Sequence, residues 1–171
     1  MADVRYKFGF DQDRCIDCGG CEIACKREND VPPGVFRRKV VTLNEGEPNE
    51  AYVSLACMHC TDAPCIPACP VDALSQRDDG IVLVDKDKCI GCGYCLWACP
   101  FGAPQFPKSG KFGSKGPMDK CDYCVDRIDE GKRPACEQCP TEALLAGDAS
   151  EISRKIRERI GTEMDGGYVS P

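Results

Sequence analysis

The chain has 171 residues and a net charge of −6, from 22 Lys and Arg against 28 Asp and Glu; this argues against nucleic acid and anionic membrane as main partners. Sixteen cysteines is a density that otherwise marks disulfide scaffolds. The opening MADVRYKFGFDQDRC, however, scatters charges from Asp3 to Arg14 and leaves no room for an apolar signal core. Nor does any apolar run approach the ~20 residues that span a bilayer. The expectation is a cytoplasmic chain with no transmembrane segment of its own, in a reducing compartment where thiols bind metal rather than each other. Aromatic residues make up only 7% of the chain, so the cores must be small and metal binding must contribute to folding.

In chain order, RYKFGFD from Arg5 to Asp11 alternates as a strand. Group one of the cysteines, CIDCGGCEIAC, holds Cys15, Cys18, Cys21 and Cys25 at C-x2-C-x2-C-x3-C. VFRRKVVTL and AYVSLAC flank the turn-rich NEGEPNE and predict a hairpin over about 35–56. Its Arg37, Arg38 and Lys39 read as a solvated edge in preference to a docking patch. Group two, CMHCTDAPCIPACP, holds Cys57, Cys60, Cys65 and Cys69, with its middle gap widened to four. Four thiols already serve that site, so His59, the only histidine, is expected to pack or hydrogen-bond beside it without ligating.

A short helical turn is expected at Val71 to Leu74, then a turn at Asp78-Asp79-Gly80 and a strand from Ile81 to Val84. Group three, CIGCGYCLWACP, holds Cys89, Cys92, Cys95 and Cys99, with Tyr94 and Trp97 expected to shield the site from water. Residues 101–120 form a Gly-, Pro- and Lys-rich basic loop. GKFGSKG inside it lacks the G-K-[ST] ending and the preceding strand of a phosphate loop. Group four holds Cys121, Cys124, Cys136 and Cys139, and its CPTEAL (139–144) echoes CPVDAL (69–74). Finally, DASEISRKIRERIG predicts a helix over 148–161, capped by Asp148 or Ser150 and stopped by Gly161. Its stripe of Ile152, Ile156 and Ile160 is expected to dock onto its own domain. Residues 162–171 read as a flexible tail.

The spacing carries the chemistry. Three cysteines at C-x2-C-x2-C wrap one cubane, and in bacterial two-cluster ferredoxins the fourth, followed by proline, ligates the other cluster. Gly19, Gly20, Gly91 and Gly93 let the backbone approach inorganic sulfide closely enough for N–H groups to tune its potential. Zinc prefers two C-x2-C knuckles around one tetrahedral site, which is credible for group four alone. No acid–base pair, Ser–His arrangement or nucleotide fingerprint is present, so an electron-transfer role without catalysis is expected. The fold class is α+β, with two pseudo-symmetric dicluster-ferredoxin modules built of short strands, short helices and long loops. The central module spans 55–106. The outer module combines 1–54, including the hairpin, with 107–147.

LACMHC (55–60), DAPC (62–65), CIGCGYC (89–95), ACPFGAPQ (98–105) and MDKC (118–121) resemble the iron–sulfur subunits of molybdenum- and tungsten-enzyme complexes. These are the β subunits of formate dehydrogenases and DMSO reductases and the ferredoxin-like subunit of tungsten aldehyde oxidoreductases. RRKVVT (37–42) and ALLAGD (143–148) are similar to formate dehydrogenase β subunits in particular, and the likeness runs from about Tyr6 to Asp148. The resemblance implies four 4Fe–4S clusters with exchanged last cysteines: Cys15/Cys18/Cys21/Cys139, Cys121/Cys124/Cys136/Cys25, Cys57/Cys60/Cys65/Cys99 and Cys89/Cys92/Cys95/Cys69. It also implies a molybdenum- or tungsten-pterin catalytic subunit as partner, with a flavin subunit, hydrogenase or ferredoxin at the other end. Group four departs from the family by ending C-x2-C-P instead of C-x3-C-P, which bears on the placing of Cys139. Two alternatives stand beside this reading: a free-standing polyferredoxin and a zinc-stabilised adaptor.

Overall fold

The computed structural model describes residues 4–107 and 116–165. Among these residues, six short strands pair into three two-stranded antiparallel sheets, accompanied by four helices and short 3-10 turns. Strand β1 (Tyr6–Phe10) pairs with β6 (Leu144–Asp148), Tyr6 opposite Asp148 and Phe10 opposite Leu144, so distant parts of the chain close on one another. β2 (Arg38–Leu43) and β3 (Ala51–Ala56) form a hairpin with Arg38 opposite Ala56. β4 (Leu74–Gln76) and β5 (Val82–Val84) form the third pair. The helices are α1 (Gly20–Glu28), α2 (Tyr94–Ala98), α3 (Val125–Asp129) and α4 (Ala149–Asp165).

The echo between CPVDAL and CPTEAL is a structural repeat. Asp72 and Glu142 both adopt the left-handed conformation, with φ of 49° and 54°. The Ala and Leu that follow each of them are buried, and each Leu opens a strand, β4 or β6. Val71 to Leu74 is therefore not the expected helical turn. A left-handed residue in its middle breaks helical geometry, and Leu74 pairs with Val84.

At the centre lies Tyr123, fully buried, its ring centroid 4.5 Å from that of Phe8 and 5.4 Å from those of Tyr6 and His59. Its hydroxyl donates to the Lys7 carbonyl at 2.7 Å and accepts from the Gly147 N–H at 2.8 Å, which ties β1 to β6. Aromatic packing of this kind adds about 0.5–1.5 kcal/mol per pair beyond area burial.

Helix α4 begins where the Asp148 carboxylate accepts the Ser150 N–H at 2.9 Å and also the N–H of Arg5 at 2.9 Å. Gly161 does not stop it. An exposed interior glycine costs only about 1 kcal/mol relative to alanine, and the helix runs on to Asp165. The tail expected from Thr162 is thus helical for its first residues, and 166–171 lie outside the described residues. Ile152 is buried over β1, but Ile156 and Ile160 become progressively exposed, so only the first turns of the stripe dock. The close approach depends on Gly9, where a Cβ would stand 2.6 Å from Ile152 Cγ2. The basic loop is closed at its neck by two 2.8 Å hydrogen bonds between Gln105 and Asp119; residues 108–115, and with them most of GKFGSKG, lie outside the described residues.

Candidate metal centres

All four cysteine groups open on the same backbone turn. The residue just before the second cysteine is left-handed each time: Asp17 (φ 52°), His59 (46°), Gly91 (70°) and Tyr123 (62°). In this turn the backbone folds back on the first sulfur, as where the Tyr123 N–H donates to Cys121 Sγ at 3.4 Å. Group four shares the conformation, so its loop is the same device as the other three. The N–H groups of Ala73 and Met118 likewise point at Cys69 and Cys89 sulfurs, at 3.3 and 3.2 Å.

Most of the cysteines stand near thiols of another group, in four neighbourhoods. Burial pushes the Cys15 thiol up, and repulsion from nearby Cys21 and Cys139 adds to it. Cys25 is pushed up to about 12 by burial and by the nearby Cys136 and Cys124. Burial raises Cys65, and its repelling neighbours are Cys57 and Cys99. Cys69, Cys89, Cys92 and Cys95 line one narrow pocket, walled by Leu74, Val84, Phe106 and Met118. Cys139, in the short final spacing of group four, therefore stands beside Cys15 and Cys21. The chain gets there through a tight 3-10 turn, Ala135–Glu137, after which the Cys139 N–H donates to the Glu137 carbonyl at 2.6 Å. Burial opposes charge on Cys139, but hydrogen bonds from the Thr141 hydroxyl and from the backbone at Leu144, Thr141 and Ala143 outweigh it and hold the thiol below its ordinary value.

The neighbourhoods also touch in sequence. Cys21 acts on Cys136, Cys57 and Cys121 share one apolar cluster, and Cys65 acts on Cys95. Only Cys18 and Cys92 are exposed; Cys92 lines the last of these neighbourhoods, and Cys18 lies between Cys15 and Cys21 of the first in sequence.

Several side chains stand where the sequence did not put them. Arg37 and Arg38 are not a solvated edge: both are buried. Arg37 pairs with Asp119 at 2.9 Å and Asp122 at 2.7 Å, and only Lys39 faces out, towards Glu22 at 3.0 Å. Lys120 is buried too, donating to the Val82 carbonyl and, at 2.9 Å, to that of Cys121. Alternation along β2 places Arg38 in phase with the buried Val40, the one sequence signal that could have located it.

His59 is core, as its expected packing role requires. Its Nδ1 accepts the Val82 N–H at 3.0 Å, so the proton sits on Nε2, which has no partner among the described residues. Burial, then the Lys120, Lys7 and Arg38 charges, hold it well below its ordinary pKa and hence neutral. Trp97 and Tyr94 do not shield group three. Trp97 is 88% exposed and Tyr94 is also exposed, because α2 turns Cys95 inward and presents its opposite face to solvent.

Thiols of different groups drawn near one another, backbone N–H groups aimed at sulfur, and unmet donors on Arg38 and His59 suit an anionic iron–sulfur cofactor. The family description "4Fe-4S dicluster domain" matches residues 49–149, and a second of the same description matches 11–73. The chain belongs to this 4Fe–4S dicluster family. It is 57% identical to the formate dehydrogenase iron–sulfur subunit of Wolinella succinogenes, over 93% of this chain and 89% of that one. It is 42% identical to the B subunit of the anaerobic dimethyl sulfoxide reductase of Escherichia coli, covering 89% and 78%. It is 41% identical to the thiosulfate reductase electron transfer subunit PhsB of Salmonella typhi, covering 91% and 83%. The dicluster family makes four 4Fe–4S clusters the cofactor complement, for which sixteen cysteines provide, and makes the chain a non-catalytic electron-transfer subunit. No helix among the described residues is long and apolar enough to cross a membrane.

Proposed function

We propose that this chain relays electrons singly between a molybdenum- or tungsten-pterin catalytic subunit, of formate dehydrogenase or aldehyde oxidoreductase type, and a second redox partner. That second partner is a flavin subunit, a hydrogenase or a ferredoxin. In this reading the clusters are held by Cys15/Cys18/Cys21/Cys139, Cys121/Cys124/Cys136/Cys25, Cys57/Cys60/Cys65/Cys99 and Cys89/Cys92/Cys95/Cys69, in that order along the path. The outer module is 1–54 with 107–147, and the central one is 55–106. One observation carries the reading: the neighbourhoods follow one another in series, and the two at its ends are the ones with an exposed cysteine, Cys18 and Cys92.

A bound 4Fe–4S cluster supplies a one-electron site whose potential answers to hydrogen bonds and burial. The chain's own residues do the rest. Phe8, Tyr123 and the buried Cys25, Cys57, Cys121, Cys124 and Cys136 keep water out of the middle of the path. The exposed Ile16 and Ile23 near Cys18, and Ile90 and Trp97 near Cys92, leave apolar surface at both ends. The name of the 57% identical relative favours the formate type. The expected compartment of the complex is the cytoplasm, which cell fractionation tests.

Anaerobic affinity purification from the native host tests the reading. The expected outcome is co-purification with a pterin-containing subunit and about sixteen irons per chain. A chain that elutes alone from gel filtration of such extracts is a free polyferredoxin instead, and a colourless zinc protein is the adaptor. Cys139→Ala is expected to remove one EPR signal of four. Survival of all four with unchanged spectra removes Cys139 from its quartet.

A further inference from the structure

We propose that Arg38 sets the reduction potential of the cluster held by Cys25, Cys121, Cys124 and Cys136, by holding an unneutralised guanidinium and two unmet N–H donors against it. The proposal rests on the quartet reading above.

The geometry begins with β2, which turns Arg38 inward to 2% exposure. Only Nη1 has protein partners, the Ser54 carbonyl at 3.3 Å and Ser54 Oγ at 3.0 Å, while the guanidinium carbon lies 4.3 Å over the Phe8 ring. Nε and Nη2 donate to nothing among the described residues. A buried ion with unmet donors is stable only if an anion faces it. No carboxylate among the described residues lies within ion-pair distance of Arg38, whereas Arg37 next to it is paired with Asp119 and Asp122. The ionisable groups that act on Arg38 are the thiols of Cys136, Cys121, Cys21 and Cys25, and three of these belong to one quartet. Ser54 Oγ, 3.5 Å from Cys21 Sγ, extends the contact to the neighbouring quartet.

The consequence is electrostatic. A cluster on four thiolates is an anion, and one-electron reduction adds a further negative charge without breaking a bond or moving a proton. A fixed cation in a low-dielectric interior favours the reduced form, and N–H···S bonds act in the same direction. The electron comes from one neighbouring cluster of the relay and leaves to the other. Arg38 is thus a positioning residue that deepens one step of the path, and through Ser54 it touches the step before.

The test is EPR-monitored redox titration of the full-length, anaerobically purified cluster-loaded chain. Arg38→Gln is expected to move one of four steps to lower potential. At fixed potential the reduced-to-oxidised ratio falls about tenfold, equivalent to about 59 mV for one electron. A smaller shift is expected in the Cys15/Cys18/Cys21/Cys139 cluster and none in the other two. Arg38→Lys keeps the charge and is expected to restore most of the shift, and Lys39→Gln, outward on the same strand, is expected to move nothing. Unchanged potentials in Arg38→Gln with four intact clusters overturn the proposal. If Arg38→Gln cannot hold its clusters, the unaltered protein decides. Isotopically labelled arginine nitrogen is expected to couple to one reduced cluster in pulsed EPR, and absence of that coupling overturns the proposal. Failure of the quartet reading shows separately, as loss in Cys124→Ala of a different signal from the one that Arg38→Gln shifts.

Discussion

Groups two and four use the same loop as groups one and three, to opposite ends. In Cys57–Cys60 and Cys121–Cys124 the left-handed residue is His59 or Tyr123; both are fully buried and their rings meet edge-on at 5.4 Å. In groups one and three the same slot holds Asp17 or Gly91, and the next residue, Cys18 or Cys92, is exposed. The turn that gathers thiolates is therefore indifferent to burial. What fills its left-handed slot decides whether the loop is fastened into the core or presented to a partner. A bulky residue in that conformation costs about 1–3 kcal/mol. Ring packing and buried hydrogen bonds offset it at His59 and Tyr123, and small or polar residues suffice where the loop faces outwards.

The sharpest way to break this contrast is His59→Ala. It leaves a cavity and an unmet Val82 N–H, and should cost about 3 kcal/mol, read as an earlier denaturant midpoint for loss of cluster absorbance. Asp17→Ala at the matching outward position should move the midpoint far less; equal losses would end the distinction. Tyr123→Phe keeps the ring but removes the bonds to Lys7 and Gly147, and about 1–3 kcal/mol is expected in the same assay.

Gly9→Ala probes the opposite face of β1, where the new methyl would press on Ile152. A loss of about 1–3 kcal/mol, with α4 exchanging its amide hydrogens faster, is expected. Asp148→Ala should cost about 1 kcal/mol through loss of the α4 cap. Hydrogen bonds from the Ser150 hydroxyl, the Arg5 N–H and the Ser150 N–H depress the Asp148 carboxyl to about 2. Because that value lies below the ordinary carboxylate range, its contribution is complete above that range and fades as pH falls towards 2. The difference between wild type and variant should therefore shrink across that acid window and stay constant at neutral pH. Smallest of all, Trp97→Gln should leave stability within about 0.5 kcal/mol and all four potentials unmoved, since the side chain is exposed. Its effect belongs to partner binding, read as loss of co-purification.

Residues that act through their immediate neighbours were legible in the sequence. The thiol groups, the strand at Tyr6–Phe10, the Asp148 cap and the CPVDAL–CPTEAL echo all appear where spacing and turn chemistry predict them. Elements decided by distant contacts were not. RRKV reads as a charged edge, yet Arg37 finds its carboxylates at Asp119 and Asp122 and Arg38 lies over Phe8. Trp97 reads as a shield, yet α2 turns its cysteine inward and its tryptophan out. Gly161 reads as a stop, yet one glycine is too weak a signal against a helix that continues past it.

The sequence alone determined the kind of cofactor, the thiols available for it and the loops that present them, because a chelating turn is a constraint between residues a few positions apart. Only the tertiary structure decided how deeply each cysteine is buried, which thiols share an apolar cluster and which cations are buried among them. Those outcomes depend on desolvation, and desolvation is set by residues as far apart as Phe8, Arg38, Ser54, His59 and Tyr123 meeting in one interior.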